Sequence, residues 1–190
     1  MNKPANQLFN EVRKHTIFVG ATLDRFDFRN KKLAGVNFTD AYIRGADFTG
    51  ADLRDCKFVK TALSRSCFLR ANCEGADFSG ADMSMTYLRG ANFTNCKMWY
   101  TLLRCAIGKY TNFTSADMRF ADVVNAMLLW CDFTGVNMDT WFNKDYAIFD
   151  MYIKSTQRGK PIYSPEPGCY TVSSDPWGAD GDPREKKYLA

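Results

Sequence analysis

Histidine is almost missing from this chain of 190 residues, which holds one, His15. That residue lies among residues with no partner motif, so histidine-based triads, proton relays and His-rich metal centres are excluded. No CxxC pair, phosphate-binding loop, dinucleotide fingerprint or zinc spacing occurs anywhere in the sequence. No catalytic residue, metal, cofactor or small-molecule substrate is therefore expected, and the protein reads as a non-enzyme. Long apolar runs are missing too: nothing approaches the ~20 residues of a membrane span. The start, Met1-Asn2-Lys3-Pro4-Ala5, lacks the apolar core of a signal peptide, which points to the cytoplasm. Charge of one sign is also lacking. Lys and Arg number 25 against 21 Asp and Glu, and within residues 16 to 140 the excess is +2, 15 against 13. A balance so even argues against direct binding of nucleic acid, which calls for a stripe of one sign. Proline is scarce until residue 155, after which five of the six occur.

What is present is a period. From Phe18 to Met138 every fifth residue is large and apolar except Cys73 and Gly108, with no insertion or deletion. Two positions before each lies a small residue, Ala in 12 of 25 units, with only Phe26 and Lys31 oversized. A period of five suits neither a helix nor a flat strand, and a fixed period means a solenoid. Between the two inward columns Asp or Asn stands in 13 of 25 units, and the unit ends in Gly eight times. Short Asx side chains bond nearby backbone and Gly accepts turn dihedrals, so each unit is one short side ending in a bend. The many Asp residues are thereby explained as turn formers and not as calcium ligands or general acids.

The segments Ala46-Asp47-Phe48-Thr49-Gly50, Ala51-Asp52-Leu53, Ala76-Asp77-Phe78-Ser79-Gly80, Ala81-Asp82-Met83 and Ala91-Asn92-Phe93 closely resemble the pentapeptide-repeat family. The resemblance implies an all-β solenoid, a right-handed quadrilateral β-helix of about six coils, four units to a coil. Folding the column at twenty supports this: Phe38, Phe58, Phe78, Met98, Met118 and Met138 fall on one side, and Phe93, Phe113 and Phe133 on another. Four parts follow: residues 1–15 as a short helical N-terminal cap, 16–140 as the β-helix, 141–154 as an aromatic-rich C-terminal cap, and 155–190 as a tail rich in Pro and Gly. At Gly108 a void is expected, or Ile107 turned inward. Lys31 and Phe26 predict an irregular first coil. Of the seven cysteines, Cys56, Cys96 and Cys131 fall in the small inward column and Cys73 in the large one. Cys67, Cys105 and Cys169 are expected nearer the surface, and free thiols are expected over disulfides.

Function must then lie on the outer surface, to which the second, fourth and fifth residues of each unit point. Outward Tyr87, Trp99, Tyr100, Leu102, Ile107, Tyr110, Phe120, Met127, Leu129 and Trp130 concentrate apolar surface in the C-terminal half. Such a patch marks a protein partner, self-association, or a cover supplied by residues 155–190. The reading is a structural or protein-binding solenoid, a component of a larger assembly such as a phage particle put together in the cytoplasm. The alternative comes from the family resemblance, whose best-known members act as DNA mimics on DNA gyrase or topoisomerase IV, protecting or inhibiting it. Against it stands the missing acidic excess.

Overall fold

The computed structural model describes residues 17–149. The expected helical cap before them, His15, residues 150–154 of the C-terminal cap, and the tail with Cys169 lie outside the described residues.

Up to Asp132 each five-residue unit contributes one backbone bridge, one inward position, large in all units but those of Cys73 and Gly108, and a bend. The bridges are all parallel and join residues twenty apart, except Met127 with Ile148, which are 21 apart. Four ladders result. Side 1 stacks Ile17, Asn37, Lys57, Asp77, Lys97 and Asp117; side 2 runs from Thr22 through Leu102 and Asp122 to Phe142; side 3 runs from Asp27 through Cys67 and Tyr87 to Ile148; side 4 stacks Lys32, Asp52, Asn72, Asn92, Asn112 and Asp132. Lys57 shows the unit bond pattern: its N–H donates to the Val36 carbonyl at 2.9 Å, and its carbonyl accepts from the Phe38 N–H at 2.7 Å. Two segments among the described residues pair over three residues, β1 (Ile107–Lys109) and β2 (Met127–Leu129), again in parallel and twenty apart.

The bends follow from the same local chemistry. The N–H that opens a unit bonds the carbonyl three residues back, as Ala41 does to Phe38 at 3.0 Å. The residue in between, the fifth of its unit, takes a left-handed φ. Gly20, Gly50, Gly80 and Gly90 do so at φ 64 to 68°, but so do Tyr100, Tyr110, Phe120 and Trp130 at 51 to 61°. The Asx residues act as the sequence predicts. Asp47, Asp77, Asp82 and Asn92 each accept the N–H two residues on, at 2.9 to 3.1 Å.

Inside, like stacks on like. Rings of Phe18, Phe38, Phe58 and Phe78 stack at 4.8 to 5.4 Å on side 1. Phe28, Phe48 and Phe68 stack on side 3, and Phe93, Phe113 and Phe133 on side 4. Each fully buried ring contributes ~1.5–3 kcal/mol of transfer free energy. The small column is not merely small. Thr61, Thr101 and Thr111 donate their hydroxyls to the carbonyls of Phe38, Phe78 and Leu88, 23 residues earlier, at 2.8 to 2.9 Å. Ser66 and the thiols of Cys56 and Cys96 do the same to Ile43, Leu33 and Cys73. A polar atom here is buried without leaving a partner unmet.

Four expectations need correction. Gly108 leaves no void, because a Cβ there would meet Leu128 Cδ2 and Thr111 Oγ1 at 3.0 Å; Ile107 stays on the outer face. The first coil is regular around Lys31, whose carbonyl accepts from Asp52 at 2.9 Å, while the side chain is only half-buried. Phe26, also half-buried, tilts onto Phe28 at 4.9 Å. Cys67 and Cys105 are buried, both 8% exposed, and Cys105 is disulfide-bonded. Cys67 is covered from the neighbouring coil, where Thr49 Oγ1 lies 3.4 Å from its Sγ. Lastly, the ladder does not stop at residue 140. Phe142 bridges Asp122, and Ile148 bridges Met127 after one extra residue, taken up by a 3-10 turn, Lys144–Tyr146.

Candidate functional site

The ten outward residues singled out from the sequence are not brought together as one patch. Trp99, Tyr100 and Phe120 line the corner between sides 1 and 2, with Leu102 half-buried on side 2. Tyr87, Ile107 and Met127 form the outer face of side 3, and Leu129, Tyr110 and Trp130 continue it around the corner to side 4. With four sides to a coil, these two corners are diagonal. Between them lies the corner of sides 2 and 3, which carries an ion pair: Arg104 Nε donates to Asp122 Oδ2 at 2.7 Å.

Each aromatic corner is built in the same way. On the first, Tyr100 stacks on Phe120 at 5.0 Å and 15°, Phe120 reaches Phe142 at 6.1 Å, and the Arg119 guanidinium lies 4.6 Å from the Trp99 ring. On the second, Tyr110 stacks on Trp130 at 5.3 Å and 17°, and Lys109 Nζ sits 5.2 and 4.7 Å from the two rings. The twenty-residue register imposes this, since side chains one coil apart are neighbours along the axis. Stacked rings and an overlying cation stabilise one another by about 0.5–1.5 kcal/mol per contact. Tyr100 stays 57% exposed, and Trp99, Phe120 and Trp130 remain exposed as well. Phe142 and Tyr146, assigned from sequence to the C-terminal cap, are also exposed, whereas Trp141 beside them is buried against Phe133. The signal for Phe142 was available: it lies twenty residues after Asp122, in an outward column. The overlying cations Arg119 and Lys109 were missed because a cation reads as solvated until its neighbour is known.

Several arginines along the rod are paired with aspartates. Arg29 with Asp27, Arg44 with Asp24, Arg54 with Asp52 and Arg119 with Asp117 make ion pairs at 2.5 to 2.8 Å. The hydrogen bond from Arg29 holds the Asp27 carboxyl down at about 2. Asp24, Asp52 and Asp117 are lowered for the same reason, each by its arginine. Burial pushes the Cys56 and Cys131 thiols up to about 12. These thiols are inert packing groups, not nucleophiles. Among the described residues no three His, Cys, Asp or Glu side chains are placed to hold a metal ion, and no helix is long and apolar enough to cross a membrane.

The family model for pentapeptide repeats matches in eight copies, over residues 16–55, 32–70 and 56–95. No curated protein sequence matches the chain. Among solved structures the chain is similar to HetL, a pentapeptide repeat protein involved in heterocyst differentiation regulation from the cyanobacterium Nostoc, at 18% identity and a TM-score of 0.46, covering 69% of this chain and 73% of that one. It is similar to a pentapeptide repeat protein of the Arabidopsis thaliana thylakoid lumen at 24% identity and a TM-score of 0.45, covering 62% and 70%. It is also similar to QnrB1, a plasmid-mediated fluoroquinolone resistance protein, at 19% identity and a TM-score of 0.26, covering 73% and 93%. With its unbroken five-residue register, its twenty-residue ladders and its match to the family model, the chain belongs to the pentapeptide-repeat family.

Proposed function

We propose that the chain is a non-enzymatic, right-handed quadrilateral β-helix that binds a protein partner, or a second copy of itself, through the aromatic corners of its C-terminal half. The observation that carries this reading is the pair of exposed ring ladders, Tyr100 with Phe120 and Tyr110 with Trp130. One face of each ring is covered by its stacking partner, and at the second corner Lys109 lies over both rings, so much of what they offer is edge. Nucleobases and sugars bind ring faces, whereas the edges of rigid aromatics suit the packed centre of a protein interface. Two diagonal corners can also engage two neighbours at once, as a component of a larger assembly such as a phage particle built in the cytoplasm would require. The mixed-sign surface favours this reading over a DNA mimic that acts on gyrase.

Light scattering on wild type and on the Trp99→Ser and Trp130→Ser variants tests it. Each substitution is expected to weaken association by about tenfold or more, the size of a hot-spot loss, with the melting temperature nearly unchanged. Unchanged mass and unchanged partner binding, with new protease cleavage after residue 154, would overturn the reading. So would inhibition of purified gyrase in a supercoiling assay at equimolar protein.

A further inference from the structure

The other half of the rod carries an arginine-lined groove, on the corner of sides 2 and 3. It encloses about 540 Å³ and is lined by Asp24, Arg25, Arg44, Gly45, Ser64, Arg65, Ser84 and Met85. These are the fourth and fifth residues of four successive units on one corner, so the groove runs along the rod axis. Its width has a local cause. Arg25 and Arg65 stand at the bend with left-handed φ of 58 and 63°, and the bend residue between them is Gly45. A Cβ at Gly45 would meet Arg25 Cγ at 3.6 Å, an ordinary contact, so the glycine keeps this stretch of the groove floor free of a side chain. Ser64 and Ser84 add hydroxyls without bulk.

The charges in the groove are unbalanced. Arg44 is neutralised by Asp24, whose two oxygens accept from Arg44 Nε and Nη2. Among the described residues Arg25 and Arg65 make no ion pair, although arginines elsewhere on the rod, Arg29, Arg54, Arg104 and Arg119, each hold an Asp. The groove therefore presents two spare guanidiniums, two coils apart, or roughly 10 Å at the inter-strand spacing. Guanidinium is the side chain best matched to a carboxylate, which it binds through two parallel hydrogen bonds.

We propose that this groove binds an acidic segment of a protein partner, with Arg25 and Arg65 each taking one carboxylate and Gly45 admitting the chain between them. Carboxylates two residues apart on one side of an extended strand are ~6.7 Å apart, within reach of two flexible arginine arms at this spacing. Two spare cations are too few for a nucleic acid, which draws its affinity from a long run of neutralised phosphates. The proposal is independent of the aromatic corners and stands or falls without them.

The test is fluorescence anisotropy with a labelled alternating Asp-Gly peptide and the full chain at low salt. The double variant Arg25→Gln, Arg65→Gln is expected to weaken binding by about tenfold or more, as the loss of two charge-assisted contacts demands. Ser64→Glu, which sets a carboxylate beside Arg65, is expected to abolish it. Arg70→Gln removes an unpaired arginine at another corner and is expected to change binding less than about threefold. No binding of the Asp-Gly peptide by wild type overturns the proposal. An equal loss in Arg70→Gln would mean diffuse surface charge and would overturn it too. Tighter binding of an oligothymidylate, displacing the peptide, assigns the groove to nucleic acid and likewise rejects it.

Discussion

The Thr61 hydroxyl donates to the Phe38 carbonyl, 2.8 Å away and 23 residues earlier, from a site with no solvent exposure. The same carbonyl already accepts from the Ala41 N–H at 3.0 Å, so the threonine adds a second bond that locks one coil to the next. Thr61→Val keeps the shape and loses the bond. Because the carbonyl keeps one partner, the loss should be about 1 kcal/mol, read as a fall of roughly 2–4 °C in melting temperature for a chain of this size.

Gly108→Leu is expected to destabilise the rod. A side chain there enters space held by Leu128, Thr111 and Cys131, and overpacking of this kind costs about 1–3 kcal/mol. Chemical denaturation reads the change, and a variant as stable as wild type would show that β1 and β2 move apart at no cost.

Asp122 should fasten the last coil. Its carboxylate accepts from Arg104 Nε at 2.7 Å, Asn143 Nδ2 at 3.0 Å and the Val124 N–H at 3.2 Å. Asp122→Ala strands the Asn143 amide and frees the turn Lys144–Tyr146, at a cost of about 1–3 kcal/mol. Hydrogen exchange should quicken first at the Phe142 and Ile148 amides, which bond Ala121 and Ala126.

The ion pairs fix the response to acid. Asp27 is held at about 2 by Arg29, below the ~4 of an unfolded carboxylate. A lowered folded value means that the unfolded state takes up the proton first, so stability is full above ~4 and is lost as pH falls toward 2. Asp24, Asp52 and Asp117 act in the same direction. These pairs are largely solvated, so the slope is shallow, and Asp27→Asn should flatten it further in urea titrations at pH 2 to 5.

Thiols give the opposite limb. Cys56 and Cys131 remain protonated in the fold up to about 12, whereas unfolded cysteine ionises near ~8.5. Stability is therefore full below ~8.5 and declines from there toward 12. Iodoacetamide at pH 8 should leave both thiols unmodified until the chain is unfolded.

The coil, the ring stacks and the Asx bends were legible because each depends only on position modulo five or twenty. Phe93, Phe113 and Phe133 must stack once the period is known. Other features depend on what the neighbouring coil places beside a residue. Cys67 is outward by register, yet it is covered, with its Sγ 3.4 Å from Thr49 Oγ1. Gly108 is filled from Leu128, one coil away. The ten candidate surface residues were legible as outward, but their division between two diagonal corners required the order of the sides. The groove between Arg25 and Arg65 was hidden for another reason. Which arginines are spare emerges only when every acid has been assigned its partner.

The left-handed bends at Tyr100, Tyr110, Phe120 and Trp130 have an evolutionary consequence. Earlier coils fill these same two corners with Gly20 and Gly80, and with Gly50 and Gly90, which adopt this geometry without strain. A bulky residue there gives up roughly 1–2 kcal/mol of backbone energy, only partly offset by ring stacking. Drift toward stability would replace these aromatics with glycine or asparagine, and the rod would gain robustness as it lost its corners. On the function proposed above, endurance and recognition are set against each other at these same four positions.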